Sequence, residues 1–378
     1  MSKVSLLDAC NITTGKKDSN AAVENGLYPF FTCAPEPLKI NSFCFDDDVI
    51  LLAGNNAGAN FHCQRYKGKF DAYQRTYVFT AKEGYCLDYV YYSLLINLKH
   101  YAKKSQGSQT KFLTLKILAD FEIDDVTYLE QLEVSRKLRI IDDKIINNNQ
   151  IIRNLEEMVI TLYNYWFLQF EFPNENGKSY KSSGRKMVWN EELKREIPEG
   201  WKARKIVNIL NEADKSKVQV NEAKEKGGYP FFTSGNSILS YDEFFVDGFN
   251  IFLNTGGNPD IKAYMGKCAY STDTWCISAN EYSYVLYYYL LKLMPQFEQL
   301  FFAGSGLKHL QKKALKNKYI LLPDIRVLKI FNDSCVSIWK KVANYYIQNQ
   351  ELSSLRDFLL PLLLNGQVTF KENKLWIG

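Results

Sequence analysis

Chemistry-bearing side chains in this 378-residue chain gather in a few loops that mix amides, cations and aromatic rings. GNNAGANFHCQRYKGKFDAYQR (54–75) holds Asn55, Asn56, Arg65, Lys67, Lys69, Gln74 and Arg75 beside Tyr66 and Tyr73. KKSQGSQTK (103–111) adds Ser105, Gln106, Ser108, Gln109 and Lys111. Further on, NTGGNPDIKAYMGKCAYSTDT (254–274) carries Asn254, Thr255, Asn258, Lys262, Lys267, Ser271, Thr272 and Asp273. GSGLKHLQKKALKNK (304–318) supplies Ser305, Lys308 and Lys312. Asn, Gln and Arg can make paired hydrogen bonds to base edges, while Lys and Ser commonly hold phosphate. One such loop alone is more simply a solvated turn. Four at corresponding places in the chain point to nucleic acid, and these residues are the candidate DNA contacts.

Other chemistries fit less well. FAGSG (302–306) matches the Phe-x-Gly-x-Gly pattern that cradles S-adenosylmethionine in amino-methyltransferases. The stretch before it, YYYLLKLMPQFEQLF, reads as helix rather than the strand such a loop should follow, and the corresponding loop earlier in the chain reads KSQGS (104–108) instead. No Asn/Asp-Pro-Pro-Tyr/Phe stretch and no Gly-x-x-x-x-Gly-Lys-Ser/Thr loop is present. Asp46-Asp47-Asp48 clusters carboxylates with no evident basic or His partner in register, and reads as a strand-entry turn. Three histidines and eight scattered cysteines offer one adjacent pair, His62-Cys63, and no second pair to complete a zinc site. No catalytic residue, metal or cofactor is expected. A net charge of +5 is mild for the length. No stretch approaches the ~20 apolar residues of a membrane span. MSKVSLLDAC does not resemble a secretory leader, so a cytoplasmic, thiol-reducing setting is expected.

The elements that position the loops are written twice. GLYPFFT (26–32) returns as GGYPFFT (227–233). Ile50 and Leu52 return as Ile251 and Leu253, Tyr66-x-Gly68-Lys69 as Tyr264-x-Gly266-Lys267, and Asn149-Gln150 as Asn349-Gln350. A tandem duplication follows. In each copy, short apolar runs such as VILLAG (49–54) and NIFLNTG (250–256) read as buried strands, and a Tyr/Leu-rich helix follows them.

A heptad seam comes next: Leu138, Ile141, Ile145, Asn148, Ile152, Leu155, Val159, Leu162 and Trp166. Its counterpart is Ile338, Val342, Tyr345, Asn349, Leu352, Leu355, Leu359 and Leu362. Each seam predicts ~45 Å of helix. The expected fold is α/β: two similar mixed α/β domains joined by two long helices packed as an antiparallel coiled coil, with pseudo-two-fold symmetry. The expected boundaries are 1–127 and 200–323 for the domains, 128–172 and 324–378 for the helices, and 173–199 for a polar linker. The fidelity of YPFFT marks it as framework. The stretches that diverge, 71–75 and 270–273, are where specificity is expected.

Three phrases carry a resemblance to a known family. REIPEGWKARKIVNI (195–209), LRDFLLPLLLNGQV (355–368) and RKLRIIDDKIINNNQIIRNLEEMVITLYNYWF (136–167) resemble, end to end, the specificity subunit of type I restriction-modification systems. The junction ADFEIDDVTYLEQLEVSRKL (119–138) departs from the family's Pro-rich, Glu-Gln phrase. The resemblance implies a non-catalytic DNA-recognition subunit with two target-recognition domains, each reading half of a split target. It implies helices that set the gap and dock two methyltransferase subunits, with Ile152, Leu155, Val159, Leu162, Leu352, Leu355, Leu359 and Leu362 as candidate docking residues. Endonuclease/translocase subunits would join through the complex, and S-adenosylmethionine would sit on the methyltransferase partner. The alternatives are a DNA amino-methyltransferase and a protein-binding helical scaffold.

Overall fold

A computed structural model of the chain describes residues 2–56, 61–105, 107, 110–224, 227–235, 237–371 and 374–377. It divides into two compact units, Met1–Asn147 with Asn349–Gly378, and Asn148–Gln348.

The first unit is built on a six-stranded sheet in the order Cys10–Thr14, Thr76–Ala81, Phe45–Ala53, Cys63–Ala72, Tyr28–Phe31, Leu38–Ile40. All pairs are antiparallel except Tyr28–Phe31 with Cys63–Ala72, which pair in parallel with Phe30 opposite Asp71 and Phe31 opposite Ala72. The VILLA run lies in a central strand and is apolar on both faces, so Val49, Ile50, Leu51 and Leu52 are all buried. Helix Leu87–Lys104 covers one face and sends Tyr89, Val90, Tyr92 and Leu94 into the core beside Ile50, Leu52 and Phe79.

The second unit repeats the scheme. A four-stranded sheet runs Asn211–Glu212, Thr274–Ser278, Phe249–Asn254, Ile261–Met265, and a three-stranded one runs Leu239–Tyr241, Tyr229–Phe232, Ala269–Tyr270. Its parallel pair again falls on the YPFF phrase, with Phe231 opposite Ala269 and Phe232 opposite Tyr270. Helix Ser283–Phe301 covers the four-stranded sheet.

The glycine before each YPFF has a shared steric reason. A Cβ on Gly26 would lie 2.4 Å from the Ile40 backbone nitrogen, and one on Gly227 would lie 2.4 Å from that of Tyr241. Both strands of the hairpin approach so closely there that no side chain fits. Phe30, Phe31, Phe231 and Phe232 are buried, as expected of framework.

Strand register corrects one expectation. Asp46 stands opposite Lys69 and Asp48 opposite Lys67, and Arg65 forms an ion pair with Asp48 at 2.8 Å. The carboxylate run is therefore a cross-strand charge ladder with basic partners. The sequence hides this because the pairing strand lies some twenty residues on.

The first long helix is Tyr128–Tyr163. Its start is set by a capping box: Thr127 Oγ1 accepts from Glu130 N at 3.4 Å, and Glu130 Oε2 accepts from Thr127 N at 2.9 Å. The second long helix is Ile325–Leu364, capped by Asp324 Oδ1, which accepts from Arg326 N at 3.0 Å and Val327 N at 3.1 Å. It stops short of the expected 378; Gly366, with φ 67°, closes its end, and strands Val368–Lys371 and Lys374–Ile377 follow.

Each long helix contributes one part to each unit. In the first unit, Leu138 meets Leu359, Leu360, Leu363 and Leu364 in one apolar cluster. In the second, Ile152, Val159 and Tyr163 join Phe331, Ile338 and Val342. Asn148 Nδ2 donates to Gln348 Oε1 at 3.4 Å while the Tyr163 and Phe331 rings lie 6.3 Å apart, so the helices run antiparallel there.

The 173–199 stretch, expected as a linker, is folded onto the second unit. Strands Met187–Asn190 and Arg195–Pro198 form a hairpin, and Phe172 stacks on Tyr180 and Trp201 at 4.6 and 4.8 Å. Trp201, the last residue of the Ile-Pro-Glu-Gly-Trp phrase, is buried and its Nε1 donates to Asp324 at 3.3 Å. That phrase ties the start of the second domain to the cap of the second long helix.

Candidate nucleic-acid interface

The Tyr73–Arg75 turn follows the Cys63–Ala72 strand and is held by a set of backbone bonds, with the Cys33 thiol also donating to Arg75 O at 3.6 Å. Tyr73 N donates to Phe31 O at 2.9 Å, Gln74 N to Lys17 O at 2.9 Å, Thr76 N to Tyr73 O at 2.8 Å, and Gly54 N to Arg75 O at 2.8 Å. The second unit repeats these four bonds. Ser271 N donates to Phe232 O at 2.9 Å, Thr272 N to Val218 O at 2.9 Å, Thr274 N to Ser271 O at 3.1 Å, and Thr255 N to Asp273 O at 3.0 Å. Tyr73-Gln74-Arg75 and Ser271-Thr272-Asp273 are thus different side chains on one backbone frame.

A third segment docks beside each turn. Leu113 N donates to Gly54 O at 2.9 Å, and its counterpart Leu310 N donates to Thr255 O at 3.0 Å. Asn55 pairs with Phe112, and Asn56 with Lys111. In the first unit Gln74 and Arg75 line a groove of about 440 Å³ whose walls include Thr14, Phe112 and Leu115; Asn55, Asn56 and Lys111 lie on the short strand pair that carries Phe112. Gln74 and Arg75 are exposed, and the Arg75 guanidinium lies 5.1 Å from the centre of the Phe112 ring. In the second unit Thr255 and Asp273 share a backbone bond and Gly257 N donates to Lys308 O at 3.1 Å, while the Lys308 ammonium is paired with Glu298. Ser305 is exposed on the neighbouring hairpin tip. Gln106, Ser108 and Gln109 lie outside the described residues, and Ser105 stands at their edge.

Several expected contacts have other duties. Arg65 is only 13% exposed and gives its guanidinium to Asp48, to Asp88 at 2.7 Å and to Val49 O at 2.6 Å, so it ties the sheet to helix Leu87–Lys104. Asn254 is buried, donating to Ser234 O at 3.0 Å and to Asn258 O at 3.1 Å, and so shapes the loop it was expected to present. Lys262 pairs with Asp260 and reaches Thr233 O at 3.2 Å. Ser271 is fully buried, its hydroxyl bonded to Asp273 Oδ1 and to Thr274 Oγ1 at 3.0 Å. Lys312 lies 4.7 Å over the Trp275 ring, and burial lowers its ammonium's affinity for a proton. Lys69 and Lys267 lie over Phe43 and Phe244, each at 4.7 Å. Lys67 borders a separate cleft of about 480 Å³ with Arg65, Arg139, Asp142 and Arg356.

The docking candidates divide in the same way. Ile152, Val159 and Leu359 are buried in the cores and cannot meet a partner; they join the chain's own helices. Leu155, Leu162 and Leu362 are partly buried against those cores, and Leu352 is half-buried. Leu355 is exposed.

Phe112, the ring beneath Arg75, escaped the sequence reading; an aromatic directly after a loop lysine is too common a signal to single out. FAGSG follows helix Ser283–Phe301, and its Phe302–Ala303 pairs with His309–Leu310 as a hairpin. That is not the strand-to-helix loop of an S-adenosylmethionine site. Burial pushes the thiols of Cys10, Cys63 and Cys276 up to about 12, which favours their protonated form at neutral pH.

The family described as the type I restriction modification DNA specificity domain matches residues 1–157 and again 198–348. The chain belongs to that family and carries its DNA specificity domain twice. It is 30% identical over 227 residues to the type I restriction enzyme EcoDI specificity subunit of Escherichia coli, across 57% of this chain and 50% of that one. It is 26% identical over 319 residues to the MjaIX specificity subunit of Methanocaldococcus jannaschii, across 77% and 71%. The EcoDI match thus spans half of that relative's length. The crystal structure of a type I restriction-modification S subunit from M. genitalium shares the fold, with a TM-score of 0.54 at 16% identity, covering 96% of this chain and 95% of that one.

Proposed function

We propose that the chain is the DNA specificity subunit of a type I restriction-modification complex, each unit reading one half of a split target. The observation that carries this is the pair of turns, 73–75 and 271–273, with one hydrogen-bonded frame and unrelated side chains. A shared frame with divergent side chains suits two readers of different base sequences. The antiparallel helices fix the gap between half-sites. Two methyltransferase subunits dock on the complex and bring S-adenosylmethionine, and endonuclease/translocase subunits act through it; this chain holds no cofactor. Ile140, Ile146, Leu355 and Phe358 are exposed apolar residues on the long helices and suit such docking. Among the described residues no helix is long and apolar enough to cross a membrane.

The test is a domain exchange. Residues 200–323 are replaced by another recognition domain, the chain is co-expressed with its methyltransferase subunit, and adenine methylation is mapped across the host genome. Half of the methylated target changes and the other half stays. An unchanged map, or S-adenosylmethionine bound by the isolated chain, overturns the reading.

A further inference from the structure

The two turns also differ in charge, and that difference says what they face. The turn of the first unit ends in Arg75, exposed and poised over Phe112, with no carboxylate in ion-pair range among the described residues. The turn of the second unit ends in Asp273, whose Oδ1 accepts from Ser271 while Oδ2 is left without a partner among the described residues. Both residues occupy the same place in their frames, each accepting a backbone N–H through its carbonyl, from Gly54 at 2.8 Å and Thr255 at 3.0 Å. A place that faced the phosphate backbone would favour a cation in both copies, since a carboxylate beside phosphate is repelled. Base edges in the major groove take either sign, because they present acceptors and donors alike.

We propose that Arg75 and Asp273 are specificity-determining residues that read a G·C pair from opposite sides, Arg75 through guanine and Asp273 through cytosine. This rests on the DNA-recognition reading above. The Arg75 fork matches the guanine O6 and N7 acceptors, and the Phe112 ring holds its plane ready. The free Asp273 oxygen accepts from the cytosine amino group. Four backbone bonds fix each turn before DNA arrives, so little order is lost on binding.

The experiment uses the full chain with its methyltransferase subunit and reads the methylated target by sequencing. Arg75→Ala and Arg75→Lys each relax one G·C position in one half-site, with discrimination there falling roughly 10- to 100-fold, and leave the other half-site intact. Arg75→Lys keeps the charge, so its agreement with Arg75→Ala separates base reading from phosphate contact. T272Q/D273R turns a C·G requirement in the other half-site into G·C. Unchanged targets in all three variants overturn the assignment while leaving the DNA-recognition reading standing. Uniform loss of methylation at every site in Arg75→Ala, rescued by Arg75→Lys, also overturns it, in favour of a phosphate contact. A wild-type complex that methylates no split target overturns the DNA-recognition reading and the assignment together.

Discussion

The guanidinium of Arg356 lies 3.0 Å from the carboxylate of Asp142, a residue 214 positions earlier in the chain. The same carboxylate accepts from Tyr92 Oη at 2.7 Å. One residue thus joins helix Leu87–Lys104 to both long helices inside the first unit. The second unit solves the same problem without charge. Val342 stands where Asp142 does and Trp339 where Arg139 does, and Trp339 Nε1 donates to Tyr288 Oη at 2.9 Å. Asp142→Ala should therefore destabilise the protein by about 2 kcal/mol, since it strips a partner from both a cation and a phenol. Denaturant unfolding measures this, and a change within error would show the contact to be incidental.

Arg65 offers a sharper contrast between holding and reading. It ties Asp48, Asp88 and the Val49 carbonyl together from a nearly buried position. Arg65→Ala should cost roughly 2 kcal/mol, because the partly buried Asp88 loses its cation and the Val49 carbonyl its donor, while the exposed Asp48 adds little. The methylated target should stay the same. A variant of wild-type stability with an altered target would return Arg65 to the DNA face.

Burial pushes the Glu156 carboxyl up to about 7, amid the Tyr287, Tyr288 and Tyr346 rings. A carboxyl whose affinity for its proton rises on folding favours the folded state fully below its ordinary value of 4.5, and that stability drains away as pH climbs to about 7. Glu156→Gln removes the dependence. Its melting temperature should exceed that of the wild type by roughly 5 °C at pH 8 and match it near pH 4.5. Parallel melting curves across that range would rule out this account of Glu156.

Gly26→Ala and Gly227→Ala should each cost at least ~2 kcal/mol, because the new methyl meets backbone at 2.4 Å rather than a side chain that can turn aside. Thermal melts of the two variants test this, and the penalties should be similar. A large difference between them would mean that the hairpins do not share the constraint.

Much of this architecture is legible in the chain itself. The duplication, the seams and the framework role of YPFF follow from spacing and identity, because burial and helix periodicity leave marks on nearby residues. The divergent turns are legible for the same reason, since they stand out against what repeats around them. What stays hidden is pairing at a distance. Nothing near Asp46–Asp48 announces Lys67 and Lys69 as cross-strand neighbours, and nothing near Arg65 announces Asp88. Exposure is hidden as well: Asn254 and Ser271 have the chemistry of readers, yet turn inward to shape their loops. The hairpin within 173–199 is masked by polar composition, although Phe172 and Trp201 at its borders carry the packing.

The division of the chain into units has a consequence for its synthesis. Residues 148–348 are contiguous and hold everything the second unit needs. The first unit takes in residues 1–147, but its core is closed by Leu359, Leu360, Leu363 and Leu364. At ~5–20 residues per second on the ribosome, the earlier half waits on the order of 10–40 s for leucines that are translated after the second unit. Through that interval Leu138 and its neighbours lack their partners, and the half made first is the half finished last. A ribosome that stalls near residue 348 would release a chain whose second unit is complete and whose first is an open apolar surface, a natural client for chaperones and proteases.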